Sequence, residues 1–145
     1  MRAVVQRVSR ASVWVEGEIV GEIGAGLCAL VGVKHADTPV TATRLAGRLS
    51  TLRLFDDEAG VMNRSVLETG GSVLVVSQFT LYGDTSRGRR PSWSAAAPAA
   101  QAEPLVGEVV RALRAAGLVV ATGRFRAAMQ VELVNEGPVT VLLEV

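Results

Sequence analysis

Few residues in this chain carry the side chains that enzymes usually recruit for chemistry. A single histidine, His35, follows Lys34 in the polar stretch KHADTP, and a single cysteine, Cys28, lies inside the apolar run LCALVGV. His35 is the only side chain whose ordinary pKa suits general-base work near neutrality, but its polar surroundings favour a solvated loop position. Cys28, between apolar neighbours and without a second cysteine, reads as a buried and inert thiol. There is no Cys/His cluster at metal-ligand spacing, no H-E-x-x-H, no Cys-His pair and no G-x-S-x-G elbow, so no metal centre and no conventional triad is expected. Asp56, Asp57 and Glu58 sit in a turn where carboxylates favour the local backbone. GEIGAGL lacks the spacing and the following helix of a dinucleotide site, and no cofactor is expected.

Three stretches remain. In SQFTLYGD the polar Ser77, Gln78 and Thr80 gather at the end of an apolar strand, where a site can be built on a rigid support. Ser77 or Thr80 can donate to a developing oxyanion, or act as a nucleophile beside a base; both hydroxyls can equally serve backbone groups at the end of a sheet. In SRGRRPSW, Arg87, Arg89 and Arg90 can present guanidinium forks to phosphates beside Trp93, or form an ordinary solvated run with Trp93 as its anchor. In NEGPVT, Gly137-Pro138 separates two β-branched runs where Asn-Gly or Asp-Gly would be the usual hairpin signal. Proline there makes either a plain turn or a backbone shape wanted for itself.

The elements that must position these residues follow from periodicity. At 145 residues, 49% hydrophobic and with a formal net charge of +1, the chain is the size of one domain, 1–145, and has no strong overall field for nucleic acid. No apolar run reaches the ~18 residues needed to span a bilayer, and MRAVVQRVSRASVWV is too polar for a signal peptide, so a cytoplasmic protein with no membrane partner is expected. Val4, Val5, Val8, Val13 and Val15 alternate imperfectly, which predicts an N-terminal hairpin turning at Gly17. LCALVGV predicts a central strand, LRLF a further strand, SVLVVSQFTLYG (72–83) a buried strand, and LVVATG, MQVELVN and VTVLLEV the remaining ones. Leu45, Leu49 and Leu52 predict a helix from Pro39 to about Leu52, capped by Thr38. Leu105, Val109, Leu113 and Ala116 predict a second from about Ala100 to Ala116, closed by Gly117. The expected fold is α/β, a single domain of mixed β-sheet layers with two main helices packed on one side.

SQFTLYGDT, RGRRPSWS, TGRFRAAMQVELVNEGPVT and the opening fifteen residues together resemble the D-aminoacyl-tRNA deacylases, also called D-tyrosyl-tRNA deacylases, over essentially the whole chain. The resemblance implies a homodimer that hydrolyses the ester between a D-amino acid, or glycine, and the terminal ribose of tRNA, with aminoacyl-tRNA rather than DNA as its nucleic-acid partner. It implies that Ser77, Gln78 and Phe79 form the active-site strand, with the Phe79 N–H and its neighbours holding the ester carbonyl; Thr80, a nucleophile by residue type alone, stays beside them as a secondary alternative. Gly137 and Pro138 match a Gly-cis-Pro element that enters the active site of the opposite subunit. Arg7 matches an arginine that fixes that element, and Met129 a residue lining the pocket; Ala128 stands where many relatives carry an acid. Arg87, Arg89 and Arg90 are the expected tRNA contacts, and Arg126 adds charge near the approach. Such a site needs no side-chain base, because the ester is already activated and the ribose 2′-hydroxyl can help position water.

Overall fold

β1 (Arg2–Val15) is the strand around which the sheet is arranged. One of its edges pairs antiparallel with β8 (Gln130–Glu144); the other pairs antiparallel with β3 (Gly26–Gly32) through residues 2–8 and with β2 (Glu18–Ile23) through residues 11–15. β3 continues parallel to β6 (Ser72–Ser77), and β6 parallel to β7 (Val119–Thr122). The computed structural model describes residues 1–86 and 88–145, so the tRNA contact expected at Arg87 lies outside the described residues.

The predicted hairpin is present, turning at Glu16 and Gly17 with φ of 52° and 84°, the two positive values that a two-residue turn of right-handed twist requires. The sheet then curls until its two ends, β2 and β7, meet. Gly21 passes so close over the Thr122 carbonyl oxygen that a Cβ there would overlap it, and only glycine lets the edges approach this far. The mixed β-sheet layers expected from the sequence take the form of a nearly closed barrel.

Two apolar clusters use the two faces of this sheet. α1 (Pro39–Thr51) and α3 (Ala99–Ala115) place Leu45, Leu49, Leu105, Val109 and Leu113 in one cluster with Ala3, Val5, Leu27, Ala29, Val31, Val73 and Val75. The barrel interior holds the other, with Val8, Ala11, Val13, Val15, Cys28, Leu74 and Val76. β3 and β6 alternate strictly between the two, as a period of two demands. Burial pushes the Cys28 thiol up to about 11. The helix ends follow the sequence: Thr38 and Thr41 form a reciprocal capping box before α1, and Gly117 adopts φ 94° after α3. No helix among the described residues is long and apolar enough to cross a membrane.

β1 departs from strict alternation. Ala3 and Val5 face the helices, whereas Ala11, Val13 and Val15, of the same odd parity, face the barrel interior. Two irregularities against β8 produce the exchange. Val8 pairs with Asn135 and Arg10 with Val134, so β1 carries one extra residue; just before, Gln6 pairs with Thr140, so Arg7 alone faces residues 136–139. β8 changes face in step, with Val139, Val141 and Leu143 on the helix side and Leu133 on the barrel side.

The 136–139 segment is held at both ends. Asn135 Nδ2 donates to Thr140 Oγ1 at 2.9 Å, and Val139 N donates to Asn135 Oδ1 at 3.2 Å. Arg7, its side chain 11% exposed, donates from Nε to the Glu136 carbonyl at 3.4 Å and from Nη1 to the Leu54 carbonyl at 2.7 Å, with Asp56 Oδ1 at 3.3 Å. The Gly137–Pro138 peptide is cis, and Gly137 has φ 118°.

Two expectations change. Gly137-Pro138 does not join a pair of strands: MQVELVN and VTVLLEV are halves of one strand, both paired with β1, and the dipeptide bulges from its middle. The strand expected over 72–83 stops at Ser77 and is followed by a 3-10 turn at Phe79–Tyr82. The short β4 (Arg53–Asp56) does form, paired with β5 (Met62–Ser65), and a one-turn α2 (Val66–Thr69) follows from a Ser65–Glu68 capping box.

Gly21→Ala is expected to lower unfolding free energy by about 1–3 kcal/mol in urea titrations, from overpacking against Thr122. Gly24→Ala, where a Cβ meets nothing within 4 Å, serves as the neutral control. Arg7→Ala removes the donor to the Leu54 and Glu136 carbonyls; a loss of about 1–3 kcal/mol is expected, with faster deuterium exchange at the Glu136, Gly137 and Val139 amides.

Candidate active site

The three parallel strands β3, β6 and β7 end on one side of the molecule, and a cleft of about 540 Å³ opens beyond their carboxyl ends. Parallel sheets commonly hold ligands there, because the chain leaving each strand can present backbone groups at the sheet's edge. Val33 follows β3, Ser77 ends β6 with Gln78 and Phe79 directly after it, and Phe125, Arg126, Ala127 and Met129 follow β7. Ala99 and Ala102, in the first turn of α3, complete the wall with Val76, Ala97 and Val131.

The sequence motif at the end of β6 is placed by backbone bonds. Gln78 N donates to the Val31 carbonyl at 2.7 Å, which extends the β3–β6 pairing by one bond. The 3-10 turn begins immediately afterwards, its first bond running from Leu81 N to the Gln78 carbonyl at 3.3 Å. The N–H groups of Phe79 and Thr80 precede that bond and have no carbonyl one turn back to receive them. Tyr82 anchors the turn: its ring is buried, the Arg2 guanidinium stacks 4.9 Å from its centroid, and Arg2 Nη1 donates to the Leu81 carbonyl at 2.8 Å. Burial, reinforced by Asp37, pushes the Tyr82 hydroxyl up to about 12.

Of the expected site residues, Ser77, Gln78, Phe79 and Met129 come together in this cleft. Thr80 lies outside its wall, its hydroxyl accepting from the Gln78 side-chain amide. Met129 is seated against Gly123, where a Cβ would fall 2.6 Å from Sδ. Phe79 is half exposed, with its ring edge-to-face against Trp93 at 5.4 Å; this contact brings the arginine loop to the rim, where Arg89 and Arg90 are exposed. Arg7, Gly137 and Pro138 are absent from the cleft wall of their own chain; Gly137 and Pro138 face solvent.

His35 lies outside the cleft, with Nε2 3.1 Å from the Ser94 carbonyl. Asp57 is engaged by its own turn: bonds from Val61 N and Ala59 N and from the Asn63 side chain hold its carboxyl below the usual range. Arg126 is therefore the only ionisable side chain in the cleft wall among the described residues. It adopts φ 61°, an uncommon conformation for a residue with a side chain, in a turn closed by Ala127 N donating to the Arg124 carbonyl at 3.2 Å. The amino end of α3 adds a further positive partial charge. The arrangement can hold an anionic or carbonyl oxygen with backbone donors; it offers no side-chain base. Phe125, Ala99 and Ala102 were not anticipated from the sequence, and the signal that would have found them is the common carboxyl end of the parallel strands.

A family model described as D-Tyr-tRNA(Tyr) deacylase matches residues 4–144. A protein of Thermobifida fusca named D-aminoacyl-tRNA deacylase is 60% identical over 146 residues, covering 100% of both chains. One of the same name from Symbiobacterium thermophilum is 58% identical over 144 residues, 99% of this chain and 95% of that one. Among solved structures, one titled c-Myc DNA Unwinding Element Binding Protein superposes with a TM-score of 0.93 at 40% identity, covering 100% and 99% of the two chains. A probable eukaryotic D-amino acid tRNA deacylase shares the fold, with a TM-score of 0.83 at 17% identity over 99% and 98%. The chain belongs to the D-Tyr-tRNA(Tyr) deacylase family.

Proposed function

We propose that this protein removes D-amino acids from tRNA, as the names of its relatives imply, that the bond it hydrolyses is the ester to the terminal ribose, that it accepts glycine as well, and that it acts in the cytoplasm as a homodimer. The observation that carries the reading is a cleft built from the SQF strand end and Met129 with no carboxylate, imidazole or thiol in its wall among the described residues. An aminoacyl ester suits such a site, since its carbonyl is already electrophilic and hydrolysis chiefly needs orientation and oxyanion donors.

In this mechanism the Phe79 N–H, supported by Ser77 and Gln78, receives the ester carbonyl oxygen. Water, positioned by the ribose 2′-hydroxyl, attacks the carbonyl carbon. The tetrahedral oxyanion forms against the backbone donors, and collapse releases the amino acid and the ribose hydroxyl. Thr80 orients the Gln78 side chain rather than attacking, consistent with their hydrogen bond.

Selectivity is assigned to Gly137 and Pro138 of the partner subunit. Both are exposed and stand away from the cleft of their own chain, and they project from a strand whose outer edge has no partner among the described residues. Exposed Val134 and Leu142 on the same strand supply apolar surface for a second copy. A reader of chirality must ignore what the side chain is and sense where it points, so backbone carbonyls gripping the α-ammonium and a rigid ring occupying the L side chain's volume suit the task. Glycine has nothing to clash and passes. Arg89 and Arg90, at the rim, contact the tRNA.

Purified protein is expected to release D-tyrosine from D-tyrosyl-tRNA and to spare L-tyrosyl-tRNA; intact, fully charged D-tyrosyl-tRNA after incubation would refute the reading. Thr80→Ala is expected to keep near-normal turnover, which a nucleophilic threonine would forbid. Gly137→Ala, whose Cβ would fall 2.8 Å from the Val139 side chain, is expected to give a sedimenting dimer with lowered activity or relaxed chiral selection. Loss of activity only in step with loss of the dimer would assign Gly137 to assembly alone.

A further inference from the structure

A second depression, about 380 Å³, runs beside α3 and shares Phe125 with the main cleft. Ala99 and Ala102 of α3 face the cleft, and Glu103, Gly107, Val110, Arg111 and Arg114 of the same helix face the groove. From Ala102 to Arg114 the helix advances about 18 Å at 1.5 Å per residue, so the two depressions form one path along its side with the Phe125 ring as the divide.

The charges along this path are mostly positive. Arg111 and Arg114 line the groove, and exposed Arg124 and Arg126 flank Phe125. Glu103 and Glu108 oppose them. Glu108 is engaged with Arg111, whose Nε lies 2.9 Å from its carboxylate, and Arg114 Nη2 donates to the Val120 carbonyl at 2.9 Å, leaving its other N–H groups to point elsewhere. Arg124 and Arg126 have no carboxylate within 4.0 Å among the described residues. Gly107 leaves the groove floor open, since a Cβ there would meet nothing within 4 Å.

We propose that this groove carries the sugar-phosphate backbone of the nucleotides that precede the terminal nucleoside of tRNA, with Arg111 and Arg124 as phosphate contacts. The inference rests on the deacylase reading, which places the scissile ester of the terminal nucleoside in the main cleft. A strand leaving that cleft past Phe125 meets a groove that is apolar at its floor and edged by guanidinium groups: Arg124 has no carboxylate partner among the described residues, and Arg111, paired with Glu108 through Nε and Nη2, keeps its Nη1 donors for a phosphate oxygen. Contacts of this kind position a nucleic acid without reading its sequence, which suits an enzyme that must accept tRNAs of many identities.

The test compares D-tyrosyl-tRNA with D-tyrosyl-adenosine, which ends at the terminal nucleoside and has no preceding phosphates. Arg111→Gln/Arg124→Gln is expected to raise KM for the tRNA about tenfold with kcat unchanged, and to make the salt dependence of log(kcat/KM) shallower by about 1.4, at ~0.7 per single-strand phosphate. Its kcat/KM on the adenosine ester should match the wild type. Gly107→Phe, which fills the groove without altering charge, should repeat this split. Equal losses on both substrates, or no loss on either, would overturn the proposal. If the wild type hydrolyses neither ester, the deacylase reading falls by itself. The groove is then judged by binding of uncharged tRNA, where an unchanged affinity and salt slope in the double variant would overturn it and a weakened, less salt-sensitive complex would support it.

Discussion

A β-strand shows alternate residues to opposite faces, and this period of two is the constraint from which the molecule's shape follows. β1 serves a helix-covered core at one end and a barrel interior at the other, so its apolar residues must change face once along its length. The extra residue in β1 near Arg10 makes that change, and β8 answers with the longer excursion opposite Arg7. The exposed Gly137–Pro138 unit leaves the sheet at the one place where the pairing of these two strands has to be reset. Arg7, the single residue opposite, spans the gap with its guanidinium to the Glu136 and Leu54 carbonyls.

The same sheet supplies the second half of the proposed chemistry at a different place. Its parallel portion sends three strands toward one edge, where Ser77, Gln78 and Phe79 emerge beside Met129 and the first turn of α3. Within one chain the two motifs do not meet; under the proposed reading the cleft holds the donors and the projecting backbone unit of a second copy supplies the chiral selection. A second copy is the economical way to bring them together. Backbone groups on a rigid sheet are a sound choice for such work, because their positions are fixed by neighbouring strands and do not depend on a rotamer.

How far the sequence could be read depended on whether the signal was local. α1 and α3 were legible because their stripes at Leu45, Leu49, Leu105, Val109 and Leu113 and their terminal residues Thr38 and Gly117 are set by the helix itself. The imperfect alternation among Val5, Val8 and Val13 was visible too; it is the trace of the bulge, though only the register against β8 identifies it as one. Gly137-Pro138 was readable as a special backbone shape but not as a bulge, since turns and bulges favour the same residues and differ in what lies across from them. SQFTLYG kept the apolar pattern of β6, yet the chain turns once Gln78 N has bonded Val31, because the bonds that follow close within the segment itself. The SQF motif marked one wall of the cleft, whereas Phe125, Ala99 and Ala102 join it from distant segments whose small or apolar side chains carry no chemical signal.

The outer edge of β8 is a different kind of problem for the cell. Fifteen residues of unpaired strand would be a template for indiscriminate pairing with other extended chains, the first step toward insoluble aggregates. The excursion at 136–139 divides that edge into two shorter pieces set out of line, Pro138 removes one of its donors, and exposed Glu132, Glu136 and Glu144 place negative charge along it. The backbone unit assigned to reading chirality therefore also protects the protein's colloidal stability. A sequence that straightened this strand would restore one long, continuous edge for such pairing.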